Sequence, residues 1–410
     1  MGHILKPLVR HPLMPSLVVL QVALACAIAC NALFLLQQKL APLVASDGIG
    51  SASHLMLLHG FAARGTPWPA ARLRQVQSDL RSAPGVAGVS YAASMPMISS
   101  LNMNADVLGS TGVRATNANV YVGDNLLDVL GLRLIAGRNF TPEEEASTLH
   151  GDMGFGHAGS VIVTRTLADS LYPKGHALGR TIHYQHAAGG ERTIVGIVQH
   201  LMRNDLDQRS SELDASMLFP GVADHWARPL FAVRLAAPHH GSQACTVLLG
   251  VLKRDLDTDM LPGLPPQCDA YSTVRDAMLA QPRAAVWLLS GVTMVVLVVT
   301  LTGIAGLTGY WVQQRTRSIG IRRALGARRR DVLRELLIEN LLVVGIGVTV
   351  GLIAAYGTNL WLMRHYELLR LPVMYLPIGA ILLLALGQLA VLAPARRASN
   401  IPPIVATRAV

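Results

Sequence analysis

The chain has 410 residues, of which 51% are apolar, and its formal net charge is +10. Its mean hydropathy of +0.39 is high for a soluble protein of this length. A basic surplus often indicates nucleic-acid binding, but between residues 37 and 283 the acidic and basic side chains nearly cancel. The surplus lies beside long apolar runs, where basic residues set the orientation of membrane helices. The charge therefore requires no nucleic-acid partner.

Four uncharged runs are long enough to cross a membrane, since about 20 helical residues span its hydrocarbon core. We predict transmembrane helices at residues 13–38, 284–314, 340–363 and 371–395. A signal peptide is the alternative for the first run. That run is longer than the roughly 7–15 apolar residues of a typical signal peptide, and no convincing cleavage site follows it. We therefore expect a retained first helix.

The basic residues also predict orientation, because short loops dense in arginine stay in the cytoplasm. The tails 1–12 and 396–410 and the arginine-rich hinge 315–339 are expected on the cytoplasmic side. Residues 39–283 and the short turn 364–370 are then expected outside.

The outer segment has the periodicity of a mixed α and β domain. Two strand–helix–strand units, in residues 39–101 and 228–283, bracket residues 102–227, which we expect to form an insertion with its own sheet. The bracketing units are predicted to contain strands His54–Leu58, Val86–Tyr91, Leu230–Leu235 and Cys268–Tyr271 and helices Pro69–Ser82 and Ser242–Asp255. The insertion is predicted to contain strands Ala118–Val122 and Val161–Val163, a hairpin of Gly179–Tyr184 with Thr193–Val198, helices Asn125–Val129 and Arg165–Leu171, and a mobile loop at Thr148–Gly159.

The four cysteines fall into two classes. Cys26 and Cys30 lie in the first span and are expected to behave as small apolar residues. Cys245 and Cys268 lie in the outer domain, where disulfides can persist. They flank a predicted helix and the strand after it, and the sequence leaves open whether they pair.

The hinge contains apolar residues among its arginines, namely Ile319, Ile321 and Leu325, together with Gly320 and Gly326. A loop that only anchors the topology accounts for the arginines but not for these residues. Apolar side chains on a charged loop usually need a protein surface to bury against. We therefore expect a docking element for a partner protein.

In this interpretation residues 318–326 form a short helix whose apolar side chains enter a groove of the partner. Arg317, Arg322 and Arg323 are expected at the rim of that groove. Gly326 is expected to end the helix, because glycine adopts the left-handed conformation there without a steric penalty. The third membrane helix then restarts near Arg329.

Small residues recur in the predicted spans. Gly347 and Gly351 are one helical turn apart in the third span, a spacing that lets helix backbones approach closely in lipid. We predict that they pack a dimer. The polar residues Gln21 and Asn31 in the first span likewise suit packing against another helix rather than against lipid.

Several kinds of chemistry have no motif in this chain. The sequence contains no G-x-x-x-x-G-K-[ST] loop for ATP, no G-x-S-x-G elbow and no H-E-x-x-H zinc motif. The polar residues in the spans form no ladder of charges for an ion path. We therefore expect neither an enzyme nor a secondary transporter, with no cofactor or metal bound by this chain, and close histidine pairs that lie on the surface.

Several motifs together resemble a known family. The hinge RTRSIGIRRALGARRRDVLRELLIEN and the tail PARRASNIPPIVATR resemble those of FtsX-like ABC-transporter permeases of the MacB type. The segments SAPGVAGVSYAASMP, VYVGDNLLDVLGLRLIAGRNFTPEE and VIVTRTLADSLYPKGHALGRTI resemble the MacB-like periplasmic core domain. Three departures concern the contact with an ATPase: Ser318 replaces a usual Glu, Arg328 a small capping residue, and Pro402 and Val405 an acidic pair.

The resemblance implies a membrane α-helical fold of four transmembrane helices with a large α+β periplasmic domain of porter and sabre parts. It implies a mechanotransmitter of the bacterial inner membrane, working as a homodimer or paired permease with a separate or fused ATPase that uses ATP and Mg²⁺, and we expect a separate ATPase subunit here. A periplasmic adaptor and a TolC-like outer-membrane duct complete such exporters. Lipoprotein release, as by LolC and LolE, and regulation of a cell-wall hydrolase, as by FtsX, are the alternatives, and the substrate stays open.

The topology generates a direct test. In a chain without native cysteines, a cysteine introduced at Gly154 is expected to react with a membrane-impermeant reagent in intact spheroplasts, whereas a cysteine at Arg329 is expected to stay unlabelled. Labelling at position 329 instead would reverse the topology.

Overall fold

A computed structural model describes residues 13–60, 62, 67–98, 103–110, 112–150, 158–184, 190–206, 212–224, 228, 230–237, 241–256, 263–314, 316, 320–321, 325–326, 328–366 and 375–399. The chain divides into two compact units. The membrane unit comprises residues 1–40 and 284–410, and the outer unit comprises residues 41–283.

The helices, numbered in chain order, are α1 (Leu13–Val44), α2 (Ala70–Arg81), α3 (Leu126–Leu130), α4 (Pro142–Glu145), α5 (Arg165–Leu171), α6 (Gly241–Leu256), α7 (Tyr271–Gln314), α8 (Arg329–Tyr366) and α9 (Tyr375–Ser399). The strands are β1 (Leu55–His59), β2 (Val86–Ala92), β3 (Asn104–Gly109), β4 (Arg114–Gly123), β5 (Leu134–Gly137), β6 (Thr148–Leu149), β7 (Gly159–Thr164), β8 (Thr181–Tyr184), β9 (Glu191–Val198), β10 (Ser216–Pro220), β11 (Val222–Ala223), β12 (Leu230–Leu235) and β13 (Gln267–Ala270).

Four helices in the described part of the chain, α1, α7, α8 and α9, are long and apolar enough to cross a membrane. This confirms the predicted membrane architecture. Each of the four helices continues beyond its predicted span at one end or both, α7 and α8 furthest. α7 already begins at Tyr271, in the outer unit, and α8 begins at Arg329, where the restart was expected. Residues 329–339 were assigned to the hinge because they are charged, but they form the first turns of α8. A helix needs apolar side chains only where it crosses the hydrocarbon, so it can continue beyond the membrane with charged residues.

The membrane unit is built around α1. Half of the most apolar stretch of α1 is buried within the chain, compared with 6% for α7. Val22, Cys26 and Cys30 of α1 share one apolar core with Val344 and Val348 of α8. Because these α1 residues are four apart, they form a stripe along one helix face.

The two predicted strand–helix–strand units form a single antiparallel sheet in the order β2-β12-β1-β13. This is the split βαβ arrangement, in which each helix covers the sheet between its two strands. The central strand β1 is apolar on both faces. Met56 and Leu58 join α2 and α6 in one core, whereas Leu55 and Leu57 face a second core, as the alternation of strand side chains requires.

Residues 102–227 form a ring of strands in the described part of the chain. β3, β4, β10, β7, β9 and β8 pair in that order, and β8 pairs with β3 to close the ring. Each of these strands contributes side chains to one enclosed core, together with α5. By strand pairing, the ring joins the four-stranded sheet at Ala92 and Gly123, the pair that links β2 to β4 in the described part of the chain. The middle segment therefore has strand pairings of its own.

Its packing, however, is shared with the flanking units. Ile162 and Val198 of the ring lie in the same core as Leu55 and Leu57 of β1. Local periodicity does not reveal such a joint core, because it depends on which outer faces of the ring and sheet meet.

The predicted loop Thr148–Gly159 is partly wrong. Thr148–Leu149 pairs in parallel with β11, and Gly159 begins β7; residues 151–157 lie outside the described residues. The strands β3, β5 and β10 and the short helix α4 were missed. α4 begins with a capping box between Thr141 and Glu144, a local signal that the sequence carries in its T-x-x-E spacing.

A buried arginine forms hydrogen bonds to two neighbouring strands of the ring. Arg203, which follows β9, is fully buried. It donates to Asn117 O of β4 at 3.0 Å and to Asn104 Oδ1 of β3 at 2.9 Å. Because a buried charged donor is costly when it lacks acceptors, this side chain constrains the positions of both strands.

The pairing that the sequence left open is present: Cys245 of α6 and Cys268 of β13 form a disulfide. It joins the helix to the edge strand that runs directly into α7, because β13 ends at Ala270 and α7 begins at Tyr271. The edge strand is thus held both by its hydrogen bonds to β1 and by a covalent link.

Replacing Cys245 and Cys268 together by serine is expected to lower the free energy of unfolding of the outer unit by about 3 kcal/mol. The bond closes a sequence separation of 23 residues, and a loop of this size constrains the unfolded chain by about that amount. Denaturant unfolding of the full chain measures the change. As a control, a reducing agent should destabilise the wild type to the same extent and leave the variant unchanged. Equal stability of wild type and variant would show that the bond constrains little.

Candidate functional site: the coupling segment and the helix bundle

The candidate site is the coupling segment, defined as residues 315–328 between α7 and α8. Gly320 and Ile321 are helical, and the Leu325 N–H donates to Ile321 O at 3.0 Å, an i to i−4 helical bond. Gly326 follows with a φ of +100°, a conformation that favours glycine and ends the turn. The described part of this segment agrees with the predicted short helix and with the predicted residue at its end.

Apolar side chains of this segment are exposed. Leu325 is 83% exposed and Ile321 47% exposed. Exposed apolar residues within the spans are covered by lipid, but these two lie between spans. Such exposure is the pattern expected for a surface that buries itself against another protein.

The basic rim lies outside the described residues. Arg317, Ile319, Arg322 and Arg323 cannot be placed from the described chain, so their roles stay predictions.

Arg328 stands where the resembled family has a small capping residue, and in this chain another residue caps the helix. The Arg328 N–H donates to Asp331 Oδ2 at 3.0 Å. The carboxylate of Asp331, three residues on, thus caps the first turn of α8, as the reciprocal half of a capping box does. A small capping side chain at position 328 is not needed for this helix to begin.

The glycines assigned to a dimer contact lie against the chain's own first helix. A Cβ added to Gly347 would lie 2.8 Å from Val22 Cβ, and one added to Gly351 would lie 2.5 Å from Cys26 Cβ. This corrects the expectation that the pair packs a dimer, because α1 already occupies the space beside both glycines. The close backbone approach that their spacing predicts does occur, but within one chain.

The polar residues of α1 pack against neighbouring helices, as predicted. Gln21 Nε2 donates to Val299 O of α7 at 3.1 Å, and Asn31 Nδ2 donates to Ala355 O of α8 at 3.3 Å. A side chain at Gly303 of α7 would clash with the Gln21 amide. These hydrogen bonds hold α7 and α8 to the same central helix.

Sequence reasoning missed two buried polar residues of α8. Glu339 is 4% exposed and Asn340 is 8% exposed, and Asn340 Nδ2 donates to Gly387 O of α9 at 3.3 Å. Glu339 was counted as the last charge of the hinge. Its spacing from the inward residues Val332 and Val343, seven and four positions away, places it on the inner face of α8 and is the signal that identifies it.

The outer unit contains an acidic cluster with a structural role. Burial, together with the neighbouring carboxylates of Asp124 and Asp128, raises the pKa of Glu145 to about 7. Burial also raises the pKa of Asp124, although Gln77 Nε2 and the Tyr91 N–H donate to its carboxylate at 2.6 and 2.8 Å. These bonds join α2, β2 and the start of α3.

Two of the described histidines each pair with one carboxylate, His59 with Asp269 at 3.3 Å and His200 with Asp214 at 3.0 Å. Among the described residues, no three His, Cys, Asp or Glu side chains come together as ligands for a metal ion.

Comparison with known proteins adds two matching family models. Residues 290–403 match the FtsX-like permease C-terminal model, and residues 43–243 match the MacB-like periplasmic core domain.

Among curated relatives, an uncharacterized ABC transporter permease, YvrN of Bacillus subtilis, is 26% identical over 81% of each chain. A macrolide export ATP-binding/permease protein MacB of Neisseria meningitidis is 28% identical over 66% of this chain. The matched region spans only 39% of that MacB protein. The crystal structure of the periplasmic region of MacB from Actinobacillus actinomycetemcomitans covers 58% of this chain and 97% of its own, at 15% identity and a TM-score of 0.37.

Gly351→Leu is expected to destabilise the helix bundle by about 1–3 kcal/mol, the usual cost of overpacking, because the new side chain meets Cys26 of α1. Gly357→Leu is the matched control, since nothing lies within 4 Å of a Cβ at that glycine. Unfolding by denaturing detergent measures both variants. Equal stability of the two would show that α1 does not pack closely on α8 at Gly351.

Proposed function

The chain belongs to the FtsX-like ABC-transporter permeases that carry a MacB-like periplasmic core domain, and on that basis we propose that it is a mechanotransmitter. In this role it couples ATP hydrolysis by a separate ATPase subunit to motion of its own outer unit. That motion drives the efflux of substrates that are already in the periplasm. Its place is the bacterial inner membrane. The observation that carries the proposal is the exposed apolar surface of the coupling segment.

The coupling segment offers an anchor to the ATPase. Leu325 and Ile321 present apolar surface between the spans, and the sequence surrounds them with arginines. An apolar centre surrounded by a polar rim is the usual anatomy of a protein–protein interface. The ATPase surface that meets it is expected to have an apolar groove bordered by acidic groups, because electrostatic complementarity sets specificity.

A continuous helix provides the route for transmission. α7 runs without interruption from Tyr271, directly after β13, to Gln314, directly before the coupling segment. A helix of 44 residues is about 66 Å long, at about 1.5 Å per residue. Pro282 lies within it, and a proline in a helix interior removes one hydrogen bond and favours a bend there. A displacement of the coupling segment therefore reaches the edge of the outer sheet through one element.

The proposed working form is a homodimer or a pair of related permeases. α7 supports this, because only 6% of its most apolar stretch is buried within the chain. Gly306 and Gly309 have nothing within 4 Å of an added Cβ, so their faces are open to a close helix contact. A second permease copy on α7 replaces the dimer contact first assigned to α8.

Export is favoured over lipoprotein release and over regulation of a cell-wall hydrolase, because curated relatives include proteins named as macrolide exporters. A periplasmic adaptor and a TolC-like duct belong to the same proposal.

Leu325→Ala is expected to abolish co-purification of the ATPase and transport while membrane insertion stays normal. Truncating a buried interface anchor costs about 2 kcal/mol or more. Leu389→Ala is the matched control, because Leu389 is 60% exposed but lies within α9, where lipid covers it. Co-purification of the tagged permease with its ATPase measures both variants.

Arg322→Ala is expected to weaken the complex only partly and in a way that depends on ionic strength. A rim charge is worth about 1 kcal/mol or less and is screened by salt. If Leu325→Ala and Arg322→Ala both had equal and mild effects on co-purification, the coupling segment would serve only to set the membrane topology.

A further inference from the structure

The segment that follows α1 in the outer unit lies against the chain that leaves the ring. This connector is defined as residues 45–50. The Met202 N–H, just after β9, donates to Asp47 O at 3.0 Å. A Cβ added to Gly48, whose φ is +84°, would collide with His200 O, so the two backbones touch there. The connector is therefore packed on the end of the ring without an intervening side chain.

That end of the ring is fixed to two of the ring's strands. Met202 O accepts a hydrogen bond from Tyr121 Oη of β4 at 2.8 Å. The next residue is Arg203, whose buried side chain donates to β3 and β4. Buried hydrogen bonds are costly to break, because the freed groups have no water to bind. Met202 thus links the connector to the ring through both of its backbone polar groups.

The side chain of Asp47 contacts the start of α7. Its Oδ2 lies 3.1 Å from Arg275 Nε and accepts a hydrogen bond from Tyr271 Oη at 3.3 Å. Its Oδ1 accepts from the Ile49 N–H at 3.1 Å. Asp47 is only 7% exposed, and taking one partner from a largely buried ion pair leaves a charge without compensation. This carboxylate therefore holds the connector to the first two turns of α7.

Apolar packing surrounds these polar contacts. Tyr271 and Leu279 of α7 lie in the same core as Leu201 and Met202, and Leu43 near the end of α1 packs against that core. All of these residues belong to the outer unit. The end of α1, the start of α7 and the chain that leaves the ring therefore meet at one place, with Asp47 bonded to each of the other two.

We propose that Asp47 is a positioning residue that makes the ring move together with α7. The inference rests on the proposed function for the motion, whereas the contact itself does not. β13 runs covalently into α7 and gives it a route to the sheet, and Asp47 adds a route to the ring through Met202. Without this carboxylate the sheet follows α7 and the ring lags behind. The competing route to the ring is the core that ring and sheet share.

The first test uses the purified full chain and needs no ATPase. Hydrogen exchange over residues 199–206 is expected to be about tenfold faster in Asp47→Ala than in the wild type, the effect of losing a hydrogen bond to a charged group. Asp276→Ala is the matched control and is expected to change nothing there, because Asp276 pairs with Arg283 at 3.1 Å on the same helix but is exposed. Unchanged exchange in Asp47→Ala would overturn the proposal.

The second test follows motion in the complex with the partner ATPase. Spin labels are attached at Lys174→Cys, an exposed position after α5, and at Lys253→Cys, an exposed position of α6. Cys26 and Cys30 are replaced by alanine, and the disulfide-bonded cysteines do not react with the label. Labelled chains are diluted with unlabelled ones, so that double electron–electron resonance gives the distance within one chain. The distance is measured before and after the ATPase is trapped with ATP, Mg²⁺ and vanadate.

On trapping, this distance is expected to stay constant in the wild type and to change in Asp47→Ala, while ATP hydrolysis continues in both. If Asp47→Ala does not fold, Arg275→Ala and its control Arg283→Ala give the same comparison. A constant distance in Asp47→Ala, in a complex whose sheet moves, would show that the shared core carries the ring and that the proposal is wrong. Labels at position 253 in two copies report whether the sheet moves. A sheet that stays still in the wild type contradicts the proposed function, and the exchange measurement then decides whether Asp47 holds the ring.

Discussion

The close packing of α1 on α8 is the interaction on which the membrane unit depends. Lipid tails are as apolar as leucine, so burial alone does not drive helices together in a membrane, and close contact between backbones has to supply the energy. Val22 and Cys26 meet Gly347 and Gly351, where a single added Cβ would lie under 3.0 Å from α1. Asn31 adds an interhelical hydrogen bond to the same contact. With this seam formed, α1 and α8 pack closely against each other.

Compared with that closely packed pair, α7 is the peripheral helix. It is held to α1 by Gln21 at Val299 and Gly303, and little else of its apolar stretch is buried in the chain. The same helix continues from the disulfide-linked edge strand of the outer unit to the coupling segment. The proposed function assigns motion to this helix, because moving a helix with so little of its apolar stretch buried in the chain breaks little packing.

The elements that sequence reasoning predicted well are those whose signals are local. Strand β1 and helices α2 and α5 follow from apolar periodicity and from flanking breakers, and their observed bounds agree with the prediction within a residue. The strands that were missed, such as Asn104–Gly109, have mixed polarity. They are strands because partners from distant parts of the chain pair with them, as β8 does with β3. Part of the candidate site was likewise predicted from local signals, in the helical turn and Gly326 of the coupling segment.

The sequence by itself determined the four spans, the start of α8 near Arg329 and the close approach at Gly347 and Gly351, because hydropathy, helix ends and small-residue spacing act through neighbours along the chain. Tertiary structure alone decided which helix those glycines meet. It also decided that Cys245 and Cys268 pair and that Glu339 lies buried on the inner face of α8. Each of these depends on which surfaces are brought together by segments that are distant in the sequence. A periodic pattern predicts that one face of an element is buried, but it does not identify the segment that packs against that face.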